Sequence, residues 1–343
     1  MKWIEEIEDR FLKEEVEPVF NKYQDEVLLK LLENEEVLKT QVFNALKSIA
    51  EKAKKIIDYN NPLEYEEMGT TQEKEKYREY KVRYIDFSLL QIGMLDESYE
   101  VTVIGYDENW YGSEGIWEVF SVGYIFERLK DIKDELYQKI KKYVGKIRHC
   151  RIEQYILKQI PIYNNYFIYF LIKWLKQWDE DSTFKEIPKL NKLQVIWGEY
   201  KNDSKIVYKY DNTIKSEDMF KEKLKNGKQE EIIFTMWPSL KVNKFTINDK
   251  DITCMNLKEA ELENIFFSSC KAVGLNLKKA HLKRCYFKNC DLGMSDFTEC
   301  VLEKVIFEDC ILRNINLDDT QFKEVYRIEG NKLIDVFNGN DMF

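Results

Sequence analysis

The fold of the C-terminal third is decided by the stretch from Met255 to Thr320, which reads MNLKEA ELENIFFSSC KAVGLNLKKA HLKRCYFKNC DLGMSDFTEC VLEKVIFEDC ILRNINLDDT. Apolar residues recur there at every fifth position, and the same phase continues on both sides. This central column comprises Val242, Ile247, Ile252, Leu257, Leu262, Phe267, Ala272, Leu277, Leu282, Phe287, Leu292, Phe297, Leu302, Phe307, Leu312, Leu317 and Phe322. A period of five fits neither the 3.6 of a helix nor the 2.0 of a strand, so it predicts a coil with five-residue sides.

A second column lies two residues before the first and is small or apolar almost throughout, with Lys250 as the early exception. Its members are Met255, Ala260, Ile265, Cys270, Leu275, Ala280, Cys285, Cys290, Ser295, Cys300, Val305, Cys310, Ile315 and Thr320. Residues twenty apart are also alike, as in the column of Phe267, Phe287 and Phe307. We therefore expect like residues to stack as rungs about 4.8 Å apart.

Three segments carry a family resemblance: MNLKE at Met255–Glu259, CDLGM at Cys290–Met294 and INLDD at Ile315–Asp319. They are similar to the A-[D/N]-L-x-x pattern of the pentapeptide-repeat family. The resemblance implies a right-handed quadrilateral β-helix with four pentads to a turn, in which the central Leu or Phe and the small residue two positions earlier point inward. With four pentads to a turn, residues twenty apart stack, and the sequence supports about four coils. It covers about a quarter of the chain.

A change of composition near Pro238 indicates two domains, because all seven tryptophans precede Ser239. We expect an α+β domain of unrecognised type at residues 1–238, the β-helix at residues 239–326, and a C-terminal capping tail at residues 327–343. Gly330 and Asn331 interrupt the repeat before that tail.

The α+β assignment of the N-terminal domain depends on periodicity. Three helices are predicted in the first sixty residues, with breaks at Pro18 and Asn34. Strands are predicted at residues 82–90 and 99–106, followed by a helix from Phe126 and another that starts at Pro161. Residues 193–200 and 205–210 have the pattern of a second hairpin.

The sequence contains no motif for catalysis, a cofactor or a metal ion. His149 and His281 are the two histidines, and neither has metal-ligand spacing to Cys, Asp or Glu. Nucleophile-elbow, P-loop and dinucleotide-binding patterns are absent. We therefore predict no catalytic residues, no cofactor and no metal site, while an active site in the N-terminal domain stays open.

The charge of the chain limits the classes of partner it can bind, and its cysteines indicate the cell compartment. The net charge of −9 argues against direct binding to nucleic acid or to an anionic membrane. Within the repeat, residues 241–326 contain 13 Lys or Arg and 14 Asp or Glu. Five of the seven cysteines share one phase of the repeat and are expected to be buried apolar side chains. Together with an N-terminus unlike a secretory signal, this places the protein in the cytoplasm.

One outward column departs from the polar pattern of its neighbours. Asn256, Asn276, Asp296 and Asn316 form a polar column whose side chains can bond the turning backbone, whereas the adjoining column is apolar. That column consists of Phe266, Tyr286, Ile306 and Tyr326, which we call the stripe. A contiguous apolar patch of this kind is typical of an interface.

The stripe favours a non-enzymatic scaffold that presents a rigid face to a protein partner. Covering of the stripe by the N-terminal domain and homodimerisation are the alternatives at this surface. At the level of function, a topoisomerase-binding DNA mimic is a second hypothesis, which the balanced charge of the repeat disfavours. The segment from Asp107 to Trp117 combines carboxylates and aromatic residues as carbohydrate or cation sites do, although a solvated hairpin tip explains it as well.

Overall fold

The computed structural model describes residues 2–58, 80–143, 145–176, 178–198 and 204–337. The chain divides into two compact units, Met1–Tyr208 and Lys209–Phe343. The first unit is an α+β region and the second contains a β-solenoid. Both fold classes expected from the periodicities are therefore present.

The first unit contains helices that bury one apolar stripe each. In α2, for example, Phe20, Val27 and Leu31 are fully buried. The helices are α1 (Lys2–Phe11), α2 (Glu17–Glu33), α3 (Glu35–Asp58), α4 (Gln91–Asp96), α5 (Gly123–Phe126), α6 (Leu129–Lys141), α7 (His149–Leu175) and α8 (Ser182–Glu186).

Of two prolines used in the sequence prediction, Pro18 lies at a junction between helical segments as expected, and Pro161 does not start a helix. Pro18 lies in the first turn of α2, after a five-residue π-helical turn at Leu12–Val16, where its missing N–H is not needed. The prediction that Pro161 starts a helix is wrong, because it lies inside the 27 residues of α7. The buried stripe of α7 continues from Ile156 to Phe167 across the proline, so packing outweighs the lost backbone hydrogen bond.

Five strands of the first unit form one mixed sheet. They are β1 (Val82–Leu89), β2 (Glu100–Tyr106), β3 (Ile116–Ser121), β4 (Lys189–Gly198) and β5 (Ser204–Asp211), in the order β3-β2-β1-β4-β5. β1 and β2 are antiparallel, as are β2 and β3, whereas β1 and β4 are parallel. The strands predicted at residues 82–90 and 99–106 and the hairpin predicted at residues 193–200 and 205–210 therefore belong to a single sheet.

One face of this sheet packs on α7 through aromatic rings. Phe87 of β1 stacks on Trp197 of β4 with ring centroids 6.1 Å apart, and Phe167 of α7 stacks on the same indole at 5.0 Å. Trp197 Nε1 also donates to Asn164 Oδ1 at 2.9 Å. Because neighbouring residues of a strand point to opposite faces, Asp86 belongs to the other face of the sheet.

The second unit is a coil with a repeat of twenty residues. Its strands are β6 (Lys241–Asn248), β7 (Glu261–Ser268), β8 (His281–Lys283), β9 (Tyr286–Lys288), β10 (Val301–Glu303), β11 (Ile306–Glu308), β12 (Gln321–Lys323), β13 (Val325–Glu329) and β14 (Lys332–Phe337). Parallel pairing joins Leu262 to Leu282 and Phe267 to Phe287, a step of twenty in each case. This register confirms a coil of about four turns.

The coil begins earlier than the repeat pattern suggests. Left-handed backbone recurs at every fifth residue from Phe234, through Ser239 and Lys244, and marks the corners of the coil. Met236 already forms a parallel bridge with Asn256. The predicted boundary at residue 238 lies inside the second unit, and the folding limits of the domains stay a prediction.

Two short helices at the start of the second unit pack on the first coil. They are α9 (Glu217–Asn226) and α10 (Gln229–Ile232). Phe220 of α9 contacts Trp237 edge to face at 5.2 Å, and Leu224 and Ile232 join the same hydrophobic core. These side chains cover the open end of the coil interior.

The tail leaves the repeat as an antiparallel hairpin. β14 pairs with β13 after a turn at Gly330 and Asn331, both of which have positive φ. β14 therefore covers the outer strand edge of the last coil on one side, which prevents pairing there with another chain. Leu333 and Ile334 remain exposed.

Within the ranges described, no helix is long and apolar enough to cross a membrane.

Candidate partner-binding face of the coil

The interior of the coil fixes the position of every outward side chain. Phe267, Phe287 and Phe307 stack with centroids 4.4 Å and 5.2 Å apart and ring planes within 12° of parallel. All three rings are buried. Residues that precede them in the strands must point away from the core, because side chains alternate along a strand.

The four residues of the stripe lie on successive rungs of one face. Phe266 pairs with Tyr286, Tyr286 with Ile306, and Ile306 with Tyr326. The rings of Phe266 and Tyr286 are 5.1 Å apart. Each of the four side chains is partly exposed. The predicted stripe is therefore one continuous apolar surface along the coil.

Charges beside the stripe neutralise one another between coils. Lys288 Nζ lies 2.8 Å from Glu308 Oε1 one coil further on, and Lys304 Nζ lies 3.7 Å from Glu324 Oε2. Arg284 bonds Glu263 of the preceding coil. These residues therefore place paired charges of opposite sign at the borders of the stripe.

The polar column of Asn256, Asn276, Asp296 and Asn316 bonds the backbone at the turns, as predicted. Each side-chain Oδ1 accepts a hydrogen bond from the backbone N–H two residues later, at distances of 2.9–3.0 Å. This is the geometry of an Asx turn. The polar column stabilises the turns of the coil, in contrast to the stripe, whose apolar side chains bond no backbone there.

The cysteines of the repeat are part of the core packing. Cys270 Sγ donates to the carbonyl of Ile247 at 3.2 Å, and Cys300 Sγ donates to that of Leu277 at 2.7 Å. Burial raises the pKa of Cys285 to about 11 and that of Cys300 to about 12. The pKa of Cys310 is lowered, because Cys290 supplies a hydrogen bond to its sulfur. All seven cysteines are free thiols.

Neither histidine takes part in a site that the structure describes. His281 lies on the surface with Nε2 4.0 Å from Glu303 Oε2. His149 begins α7, and its ring lies 4.7 Å from that of Tyr137. No group of three or more His, Cys, Asp or Glu among the described residues could hold a metal ion.

The segment from Asp107 to Trp117 forms the loop between β2 and β3 and the start of β3. Asp107 Oδ1 accepts a hydrogen bond from the Asn109 N–H at 2.8 Å. This carboxylate therefore stabilises a turn of the loop. Trp117 is 48% exposed. Tyr111 donates instead to Asp86 of β1, a residue that motif searching missed. The sequence signal was a single carboxylate in the middle of β1, which reads VRYIDFSL.

The comparisons with known proteins concern the coil. The family model described as "Pentapeptide repeat region" matches residues 260–336, so this part of the chain is a pentapeptide-repeat region. No curated protein matches the chain.

Three solved structures are similar to the chain. HetL, a pentapeptide repeat protein involved in heterocyst differentiation regulation from Nostoc sp. strain PCC 7120, is 14% identical, with a TM-score of 0.24 over 30% of this chain and 51% of HetL. Rfr23, from the cyanobacterium Cyanothece 51142, is 13% identical, with a TM-score of 0.13 over 33% of this chain and 95% of that one. QnrB1 in trypsin-treated form, a plasmid-mediated fluoroquinolone resistance protein, is 11% identical, with a TM-score of 0.09 over 26% of this chain and 64% of QnrB1. The chain spans about half the length of HetL.

Proposed function

We propose that the pentapeptide-repeat coil is a non-enzymatic scaffold that binds a protein partner through the stripe. The observation that carries this proposal is the alignment of Phe266, Tyr286, Ile306 and Tyr326 on successive rungs of one rigid face. Packed rungs hold these side chains in place before binding, so little conformational entropy is lost when a partner docks. We further propose the right-handed, four-sided form of the coil that the family resemblance implies.

The composition of the face agrees with a protein partner. Tyr and Phe are enriched at the centres of protein interfaces, where a large apolar area is combined with a polar edge. Paired charges at its borders, such as Lys288 with Glu308, supply a polar rim without a strong field. A topoisomerase-binding DNA mimic would instead need a strongly acidic face, so this alternative gains no support from the described charges. The free thiols support a cytoplasmic location.

The test replaces Tyr286 and Ile306 together with Asp. A matched control replaces Val301 and Gln321 with Asp, because these two residues also point outward on adjacent rungs. Capture of partners from a native lysate, size in solution and resistance to limited proteolysis near the division between the two units, at residues 208 and 209, are measured for both variants.

We expect the Tyr286 and Ile306 variant to lose a captured protein while its fold persists, and the control to behave as wild type. Loss of a dimer instead would identify a second copy as the partner. New cleavage near the division at residues 208 and 209 alone would identify the first unit as the occupant and would contradict an external partner. If all three measurements match wild type, the proposal is wrong.

A further inference from the structure

A buried carboxyl group in the first unit lacks a matching charge. Asp86 lies in the middle of β1 between Ile104 of β2 and Ile196 of β4, and it is 2% exposed. Its Oδ2 accepts a hydrogen bond from the Tyr111 hydroxyl at 3.0 Å. Among the residues that the structure describes, its Oδ1 has no hydrogen-bond partner and no cationic side chain pairs with it.

Such a group is costly unless something completes its interactions. An ionised carboxylate accepts several hydrogen bonds in water and loses that solvation on burial. Burial raises the pKa of Asp86 to about 6, and the hydrogen bond from Tyr111 opposes the rise. A positively charged ligand beside Oδ1 would restore the lost interaction.

Aromatic rings from β1, β2 and the loop between β2 and β3 form a cluster beside Asp86. The indole of Trp110 stacks on Tyr84 at 4.3 Å with 15° between the planes, and the ring of Tyr111 lies 5.1 Å from that of Trp110. Tyr106 meets Tyr111 edge to face at 5.3 Å. The side chain that bonds Asp86 therefore belongs to a cluster of four rings.

Trp110 itself adds two unusual features. Its φ of 50° lies in the left-handed region, which is strained for a bulky residue and is retained where the surrounding structure enforces it. Its Nε1 is buried and has no hydrogen-bond partner in the described part of the chain. Tyr80 holds the loop by donating to the carbonyl of Gly105 at 2.7 Å. The loop between β2 and β3 therefore carries both Trp110, whose Nε1 donor is unused, and Tyr111, which donates to the Asp86 carboxyl group.

The chemistry of this cluster selects an organic ammonium group. Ring faces of Trp and Tyr attract cations within about 6 Å, and an adjacent carboxylate supplies the counter-charge. A divalent metal ion would need several oxygen ligands, and the described residues offer no such group. The Arg83 guanidinium already lies over the Tyr84 ring, 5.0 Å from its centroid, so Tyr84 serves to support Trp110. We propose that Asp86, Trp110 and Tyr111 form a binding site for an organic ammonium group, over which the loop between β2 and β3 closes.

The ammonium group has two possible sources, a free small cation or a lysine side chain of another protein. The full-length chain is therefore titrated with choline in one arm, and with peptides containing lysine or trimethyl-lysine in the other. The control ligand is 3,3-dimethylbutan-1-ol, which has the shape of choline without its charge. Isothermal titration calorimetry gives the affinity, and proton NMR gives the shift of the N-methyl resonance.

We expect at least one ammonium ligand to bind about tenfold or more tightly than the neutral alcohol, with N-methyl protons shifted upfield by the rings. Asp86→Asn, which keeps an acceptor for Tyr111, should weaken that binding by at least about tenfold. Glu114→Gln, at an exposed position of the same loop, is the matched control and should bind as wild type does. Binding should also weaken below a pH of about 6, because the carboxyl group becomes neutral.

Three outcomes would overturn the proposal. They are equal affinity for choline and the neutral alcohol, no detectable binding of any ammonium ligand, and unchanged affinity in a folded Asp86→Asn variant. If Asp86→Asn does not fold, Trp110→Leu takes its place, with circular dichroism as the check on folding. A folded Trp110→Leu variant that binds choline as wild type does also contradicts the site.

Discussion

The coil and the N-terminal sheet differ in how they bury carboxyl, amide and thiol groups, although the hydroxyl of Thr253 in the coil also lacks a hydrogen-bond partner among the described residues. In the coil, Asn276 Oδ1 accepts the Lys278 N–H at 3.0 Å and the Cys300 thiol donates to a carbonyl at 2.7 Å. In the sheet, Asp86 keeps one carboxyl oxygen without a donor. Buried polar groups are normally matched, so an unmatched ionisable one requires an explanation. The difference suggests that the coil contributes a surface and the N-terminal sheet contributes a site.

The largest effect should come from removing the cover of the first coil. Phe220 and Leu224 of α9 are each 2% exposed in the core of the second unit. Replacing both with Ala should lower the free energy of unfolding of the second unit by roughly 5–8 kcal/mol, because two core cavities form. Urea denaturation followed by circular dichroism measures the loss. The exposed neighbour Met219, replaced with Ala, is the control.

A loss below about 2 kcal/mol in that double variant would mean that α9 contributes little to the coil. The predicted start of the repeat domain at residue 239 would then be the true folding boundary.

Phe287 at the centre of the stacked phenylalanines is the next test. Phe287→Ala should cost about 3–5 kcal/mol, since the ring is fully buried between two others. Tyr286→Ala, one residue away but outward, should cost less than about 1 kcal/mol. Similar losses in both variants would show that the inward and outward faces of β9 are assigned wrongly.

Asp86→Asn should stabilise the first unit, in contrast to the two losses above. The folded-state pKa is about 6 against a reference of 3.8, so the folded state binds the proton more tightly than the unfolded state does. The carboxyl group therefore favours folding below a pH of about 4, and this contribution is lost as the pH rises through 6. At pH 8 the variant should gain about 1–3 kcal/mol, and the gain should vanish near pH 4.

Unfolding of the first unit at both pH values measures this effect. A gain that is the same at pH 4 and pH 8 would show that Asp86 does not titrate as described. Asp107→Asn, on the loop surface, should show no comparable change.

The polar column of the coil gives a smaller effect. Asn276→Ala should lower the free energy of unfolding by about 1–2 kcal/mol. The Asn276 side chain is buried, and its removal leaves the backbone N–H of Lys278 without its acceptor. Asn276→Asp should be nearly neutral, since Asp296 makes the same bond one coil later. Thermal unfolding of the second unit separates the two variants. An Asp variant as unstable as the Ala variant would contradict the Asx-turn role.

The smallest effect concerns the left-handed corners. Ser269 has a φ of 51°, so Ser269→Gly should be neutral or stabilise the coil by up to about 1 kcal/mol. Ser268→Gly, at an extended position of β7, should destabilise it by about 0.5–1 kcal/mol. The melting temperatures of the two variants are compared. If both changes shift the melting temperature equally, corner strain is not a property of this coil.

Much of the coil could be predicted because the repeat period determines which residues pair. Each side chain meets the residue twenty positions away, so periodicity alone gives the register of Leu262 with Leu282. The beginning escaped detection because Trp237 occupies a central position of the phase but is followed by Pro238, which does not resemble the repeat. The left-handed corner at Phe234 shows that the coil conformation is already present there.

The N-terminal sheet could be predicted only in its parts. Periodicity located β1, β2, β4 and β5, but it contains no information on which strands pair across a long separation. The parallel pairing of β1 with β4 therefore emerged only from the structure. The same limit applies to Asp86, which meets Tyr111 through tertiary packing. The stripe could be predicted because its four members follow the repeat phase.

The account depends most on whether the stripe contacts another protein, and photo-crosslinking tests this directly. A benzoyl-phenylalanine side chain is introduced in place of Tyr286, or in place of Val301 as the control, and the full-length chain is irradiated in cells. The account predicts a discrete adduct with another protein, or with a second copy, from position 286 and none from position 301. No adduct from position 286, or crosslinks only to residues 1–208 of the same chain, would contradict it.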